Sequence, residues 1–178
     1  FAYEFYKKHP KETLIVVTAD HETGGIALGT GKYALNLKAL ENQKASAEVL
    51  SKKISDLRKA KNNHVAWEDI KNLLSEEMGF WSVLPITWEQ EKKLRDEYEK
   101  SFVRNKLEFA ESMYAKTEPM AAKAKEVMDQ IAMVGWTSGG HSAGYVPVFA
   151  IGAGSDLFIG KMDNTEIPKR IAKAGGYK

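Results

Sequence analysis

The sequence contains no cysteine among its 178 residues, which excludes disulfides, thiolate metal sites and cysteine nucleophiles. It also lacks any apolar run near the roughly 20 residues that a membrane-spanning helix needs, so we expect no membrane partner. A large excess of one charge is absent too, because 26 basic and 24 acidic residues leave a formal net charge of +2. We therefore expect no nucleic-acid partner. With 43% hydrophobic and 28% charged residues, the composition is typical of a globular protein.

The most informative pattern in the chain is the segment 13–25, TLIVVTADHETGG. Its residues 14–17 are apolar without alternation, which predicts a strand buried on both faces, as found inside α/β sheets. Asp20 and His21 follow the carboxyl end of this strand, where α/β proteins gather their chemistry. Because carboxylate and imidazole both suit zinc, the pair is a candidate for metal binding. The local pattern leaves open an alternative, an Asx-turn beside an ordinary loop histidine.

A third candidate ligand lies in the last third of the chain. The glycine-rich segment 135–145 carries a single histidine, His141. The apolar stretch 146–152 then predicts a short buried strand, and a closing helix follows. A lone histidine in a loop is more often only a loop residue. The assignment of His141 therefore depends on whether the fold brings it beside Asp20 and His21.

The middle of the chain is charged and helix-forming, from about residue 38 to residue 134. Apolar residues recur there at steps of three and four, which predicts amphipathic helices at 45–60, 67–78, 87–115 and from 119 onward. Thr87 and Gln90 predict a capping box at the start of the third of these helices. We therefore predict an α/β core, formed by residues 1–31 and 135–178, that is interrupted by a helical insertion at 32–134. An insertion of this length beside a ligand loop is expected to be a lid or a specificity lobe.

Three segments of the sequence together resemble alkaline phosphatases. TLIVVTADHETGG and HSAGYVPVFAIGAG are similar to the two C-terminal metal motifs of that family, and FIGKMDNTEIPKRI is similar to its closing segment. The resemblance implies a partial α/β/α sandwich with two zinc ions, one held by Asp20 and His21 and the other by His141. It also implies magnesium in the full-length enzyme, phosphate monoesters as substrates, a phosphoserine intermediate and a periplasmic or extracytoplasmic location.

Other parts of that family's machinery have no counterpart in this sequence. It contains no Asp-Ser pair of the kind that carries the nucleophile, and no Asp is followed four residues later by His. We therefore expect the nucleophilic Ser and the phosphate-binding Arg to lie upstream of Phe1. The chain is then expected to be the C-terminal part of a phosphatase and to be inactive by itself. A sheet edge that has lost its neighbouring strand predicts a homodimer or other self-association.

Two alternatives stay open from the sequence alone. Phosphomutases and nucleotide phosphodiesterases of the same superfamily also carry Asp-His at a strand end and a later His. The continuation Glu22-Thr23-Gly24-Gly25 favours a phosphatase over these relatives. The other alternative is a non-catalytic interaction module built from the helices, in which the histidines are structural and no metal is bound.

Overall fold

A computed structural model describes residues 1–31, 33–111 and 116–177 of the chain. Helices and short strands are mixed along it, and the fold class is α/β, as predicted. The helices are α1 (Ala2–Lys8), α2 (Ala47–Ala60), α3 (Trp67–Met78), α4 (Trp88–Tyr98), α5 (Pro119–Ala132) and α6 (Glu166–Ala174). The strands are β1 (Leu14–Val17), β2 (Ile26–Leu28), β3 (Ala110–Glu111), β4 (Lys116–Thr117), β5 (Val134–Trp136) and β6 (Phe149–Gly152). Within the described ranges, no helix is long and apolar enough to cross a membrane.

The chain forms two compact units. The first, the terminal unit, consists of residues 1–25 and 141–178, and the second, the helical unit, consists of residues 26–140. Strands β2 and β5 belong to the helical unit, where they pair with each other in antiparallel fashion. The division at 31/32 and 134/135 stays a prediction, as does the role of the insertion as a lid.

In the terminal unit, β1 and β6 form a two-stranded antiparallel sheet. Ile15 lies opposite Ile151 and Val17 lies opposite Phe149, so these four apolar side chains share one face. The prediction that residues 14–17 are buried on both faces was wrong, since Val17 is 57% exposed and Phe149 is 65% exposed. The physical reason is that a sheet of two strands leaves much of its apolar surface accessible.

Two strand boundaries differ from those predicted. Strand β6 begins at Phe149 instead of residue 146, because Pro147 has no N–H to contribute to a ladder. The segment 135–145, predicted to be a loop, begins inside strand β5, in which Trp136 lies opposite Ile26. A three-residue strand that contains a glycine has too little apolar alternation to be recognised from sequence.

The helical unit has a continuous apolar core around α5, which packs against α2, α3 and α4. The predicted spacing of apolar residues in these helices is confirmed, because most of the residues that define it are buried and Leu57, Tyr98 and Ile131 are partly buried against the core. Fully buried members of the core include Leu50, Ile54, Ile70, Leu74, Phe80, Leu94, Met120, Ala124 and Val127. Burial of this apolar surface is the main source of stability in the unit.

The start of α4 follows its local sequence signal. Thr87 and Gln90 form the predicted capping box, in which Thr87 Oγ1 accepts the Gln90 N–H at 3.3 Å and Gln90 Oε1 accepts the Thr87 N–H at 3.0 Å. The end of α4 was predicted wrongly. The α-helix stops at Tyr98, a π-helical turn continues to Val103, and Asn105 then takes a left-handed conformation with φ 53° that ends the helix. Residues 112–115 of the predicted helix lie outside the described residues.

Candidate functional site

The candidate ligands Asp20 and His21 lie three and four residues beyond the end of β1, in the terminal unit. The Asp20 Oδ1 atom accepts the backbone N–H of His21 at 3.1 Å, which fixes the carboxylate against the loop. The other carboxylate oxygen, Oδ2, lies 3.4 Å from His21 Nε2. Both side chains are accessible, with 87% of Asp20 and 44% of His21 exposed. The pair therefore presents an oxygen and a nitrogen side by side at the surface of its unit.

The protonation of the His21 ring follows from its other contact. Nδ1 lies 2.7 Å from the backbone carbonyl oxygen of Glu22. Since a carbonyl oxygen can only accept a hydrogen bond, Nδ1 carries the proton and donates it. In the neutral ring Nε2 is then left with its lone pair, and this is the atom beside Asp20. Histidines that bind metals commonly hold their second nitrogen in this way.

The structure brings His141 against His21. The centroids of the two imidazole rings are 3.7 Å apart, and the ring planes are inclined by 34°. The sequence-predicted residues Asp20, His21 and His141 therefore lie in one cluster, although two of them come from one end of the chain and the third from the other. Their role as metal ligands stays a prediction.

The cluster fits zinc in the chemistry of its donors, because imidazole nitrogen and carboxylate oxygen are both zinc ligands. The Asp20–His21 pair fits in spacing as well. Two donors bound at about 2.0 Å to a tetrahedral zinc ion lie about 3.3 Å apart, and the observed separation is 3.4 Å. Among residues 1–31, 33–111 and 116–177, no three His, Asp or Glu side chains are arranged to hold one metal ion. A complete zinc site therefore requires ligands in addition to this pair.

No pattern in the sequence marks Glu22 as a ligand or a contact, but the structure places it in the site. Its Oε2 atom accepts the backbone N–H of Gly25 at 2.5 Å. Burial by itself would raise the pKa of the Glu22 carboxyl, but hydrogen bonds from Gly25, Ser142 and Gly24, together with the charge of His141, bring that pKa below its ordinary value. The Glu22 side chain is therefore the negatively charged group that accepts hydrogen bonds in this loop.

A cavity of about 700 Å³ opens beside Asp20 in the terminal unit. It lies between the loop that follows β1 and the segments 144–148 and 161–167. Its polar lining includes Lys161, whose ammonium group donates a hydrogen bond to the Tyr145 hydroxyl and lies 4.4 Å from the centre of the Tyr145 ring. Its size lies within the range of about 300–1,000 Å³ that small-molecule sites occupy. No spacing rule in the sequence connects Lys161 with Asp20.

Comparison with known proteins gives one consistent family. The alkaline phosphatase family model matches residues 1–177. Alkaline phosphatase 3 of Bacillus subtilis (strain 168) is 32% identical over 187 residues, which cover 99% of this chain and 33% of that protein. Alkaline phosphatase 4 of the same organism is 28% identical over 173 residues, which cover 97% of this chain and 31% of that protein. The crystal structure of a cold-active alkaline phosphatase from the psychrophile Shewanella sp. matches with a TM-score of 0.64 at 25% identity, covering 96% of this chain and 36% of that one.

The fold and the site together define the class of this chain, an α/β protein with an Asp–His–His cluster beyond the end of a strand. The chain belongs to the alkaline phosphatase family, in agreement with the resemblance of its motifs. It spans about a third of the length of the curated relatives that it matches. Family membership supports a phosphatase-type function.

Proposed function

We propose that this chain supplies zinc ligands to an active site that hydrolyses phosphate monoesters. Asp20 and His21 hold one zinc ion, and His141 holds a second. The observation that carries this proposal is the cluster itself. Asp20 Oδ2 lies 3.4 Å from His21 Nε2, and the centroids of the His21 and His141 rings are 3.7 Å apart. Bound zinc supplies Lewis-acid stabilisation for the oxygens that enter and leave phosphorus.

The three side chains have distinct tasks in this proposal. The Asp20 carboxylate brings negative charge that offsets part of the charge of a bound cation. The Nδ1–H of His21 donates to the Glu22 carbonyl oxygen, which leaves Nε2 of the neutral ring as the nitrogen that can bind a metal ion. The His141 ring lies against the His21 ring, with the two ring centroids 3.7 Å apart. In this proposal the two imidazoles serve neighbouring cations.

The family reaction proceeds through a phosphoserine and also uses magnesium, and we assign neither the nucleophile nor a magnesium ligand to any residue of this chain. We therefore propose that the chain hydrolyses no monoester by itself. One or two protein ligands per zinc ion also predict weak binding, because affinity grows with ligand number and preformed geometry.

Zinc titration of the metal-stripped chain tests the proposed ligands. We expect wild type to bind zinc, and we expect His21→Ala and His141→Ala to weaken that binding. His64→Ala is the matched control, since His64 is a histidine of the helical unit whose Nδ1 contacts the Asn62 carbonyl oxygen in its own turn. Wild type that binds no zinc, or a control that weakens binding as much as the site variants, would contradict the proposal.

An activity assay tests the second part of the proposal. The zinc-loaded chain is incubated with an aryl phosphate monoester, with and without added magnesium, and the released phosphate is measured. We expect no release above the background of the zinc-free chain. Zinc-dependent turnover would show that the chain contains its own nucleophile.

Self-association is the third part of the proposal. Strands β1 and β6 pair only with each other among the described residues, so each has an unpaired edge there. The sheet also exposes Val17 and Phe149 on one face. Unpaired edges and exposed apolar faces favour pairing between copies. Light scattering over a range of concentrations is expected to show a dimer or larger species, and a constant monomer mass would contradict this part.

A further inference from the structure

The loop 20–25, which carries Asp20 and His21, is closed by the side chain of Glu22. Glu22 Oε2 accepts the Gly25 N–H at 2.5 Å, three residues further along the chain. The backbone can close this turn because Gly24 and Gly25 have φ values of 100° and 60°, which residues with a Cβ rarely adopt. The conformation of the loop that presents the zinc ligands therefore depends on one carboxylate.

The same carboxylate lies against the second loop, which carries His141. A Cβ atom added to Gly144 would lie 3.3 Å from Glu22 Cγ and 3.2 Å from Ser142 Oγ, so the two loops approach closely at this point. Ser142 Oγ in turn accepts the Gly144 N–H at 3.2 Å. The second carboxylate oxygen of Glu22, Oε1, is shielded from solvent. Glu22 is thus packed between both ligand loops.

The main chain of Glu22 acts on the ligands as well. Its carbonyl oxygen holds Nδ1 of His21 at 2.7 Å and so fixes both the tautomer and the orientation of that ring. Through its backbone Glu22 orients His21, and through its side chain it fixes the approach of the His141 loop. Neither contact requires Glu22 to touch a metal ion.

We propose that Glu22 is a positioning residue, which sets the separation between the Asp20–His21 pair and His141 without itself binding zinc. The inference rests on the proposed function, since it assigns a purpose to the spacing of the zinc ligands. Loss of a residue that supports metal ligands in this way is expected to weaken metal affinity about 10–100-fold.

The test compares four forms of the chain by equilibrium titration with Zn²⁺ and by the visible absorption of Co²⁺, whose spectrum reports ligand geometry. They are wild type, Glu22→Ala, Glu22→Gln and Asp69→Ala. Asp69→Ala is the matched control, because Asp69 Oδ2 also accepts a backbone N–H three residues away, from Ala66 at 3.0 Å, but does so in the helical unit. Its pKa is also lowered, with the Ala66 N–H as the largest cause and Lys61 contributing.

We expect Glu22→Ala to bind Zn²⁺ about 10–100-fold more weakly, with an altered Co²⁺ spectrum. Glu22→Gln keeps an oxygen that accepts the Gly25 N–H, so we expect it to restore most of the affinity. Asp69→Ala should bind as wild type does. Glu22→Ala with unchanged affinity and spectrum would overturn the proposal. Glu22→Gln as weak as Glu22→Ala would also overturn it, because the charge itself would then act on the metal.

Two further measurements distinguish failure of this proposal from a variant that does not fold and from failure of the proposed function. If Glu22→Ala fails to fold, as judged by circular dichroism without metal, Gly144→Ala tests the same contact from the opposite loop. Its new methyl group displaces Glu22 by a few tenths of an ångström, and unchanged zinc affinity in that variant would overturn the proposal. Wild type that binds neither metal ion would instead refute the proposed function, since the ligands themselves would then be wrongly assigned.

Discussion

The ion pair between Arg58 and Glu118 provides the sharpest stability prediction. Arg58 Nη2 lies 2.8 Å from Glu118 Oε1, and the two side chains are only 11% and 1% exposed. Glu118 also caps α5, because its Oε2 accepts the N–H groups of Met120 at 2.7 Å and Ala121 at 3.1 Å. The change Glu118→Ala therefore leaves a buried guanidinium without its partner and a helix without its cap.

The expected magnitude follows from these two losses. Breaking a buried ion pair costs about 3–5 kcal/mol. The lower end applies here, because Arg58 keeps two other contacts. Its Nη1 donates to the Ser101 carbonyl oxygen at 3.2 Å, and its Cζ lies 3.4 Å from the centre of the Phe102 ring. Loss of a cap adds about 1 kcal/mol. We therefore expect Glu118→Ala to lower the free energy of unfolding by about 4 kcal/mol, a large fraction of the about 5–15 kcal/mol of a typical domain.

Urea unfolding followed by circular dichroism at the helical band measures this loss, and urea leaves charge interactions unscreened. The double variant Arg58→Met with Glu118→Ala is expected to recover part of the stability, because no buried charge is then left unpaired. Glu48→Ala, on the exposed side of α2, is the control and should change little. A loss below about 1 kcal/mol for Glu118→Ala would refute the argument. A double variant that loses more stability than the two single variants lose in sum would refute it as well.

Three further predictions concern the metal, the pH and the core. Zinc at 100 times its dissociation constant should stabilise wild type by about 2.7 kcal/mol in a thermal melt. Asp20→Ala should lose most of this stabilisation, and an equal stabilisation of both forms would contradict the assignment of Asp20. Burial raises the pKa of the Glu97 carboxyl, so its ionisation destabilises the fold as pH rises through the folded pKa. Glu97→Gln should therefore raise the melting temperature at pH 7 and lose this advantage below about pH 4.5, the ordinary value; an advantage that persists in acid would contradict burial as the cause. Phe80→Ala removes a ring that is 0% exposed and should cost about 3–5 kcal/mol in urea unfolding, whereas Val83→Ala, 67% exposed, should cost little.

The helices were predicted well from local signals, because the apolar spacing and the caps that determine a helix lie within a few residues of one another. The spacing of Leu50 and Ile54 identified a buried face, and the capping pair of Thr87 and Gln90 marked the start of α4. The end of α4 escaped prediction because Asn105 carries no strong signal for its left-handed conformation. The exposure of Val17 escaped as well, since the number of strands beside β1 is a tertiary property.

The residues of the candidate site could be selected from the sequence, but the contacts that support them could not. Asp20 and His21 were selected by their place after an apolar strand and His141 by its glycine-rich surroundings, and their role as ligands stays a prediction. The contact between Glu22 and the loop at Gly144 joins residues from opposite ends of the chain, and no periodicity or spacing reports such a contact. The same holds for Lys161 beside Tyr145.

The pairing of β2 with β5 has a kinetic consequence. The terminal unit closes through contacts such as that of Thr18 Oγ1 with the Pro147 carbonyl, 129 residues apart along the chain. If Ile26 and Trp136 are already paired, the unstructured length that must close shrinks from about 130 to about 20 residues, which lowers the entropic cost by about 1.7 kcal/mol. The helices are therefore expected to form first. The loop that carries His21 and the loop that carries His141 are expected to meet last.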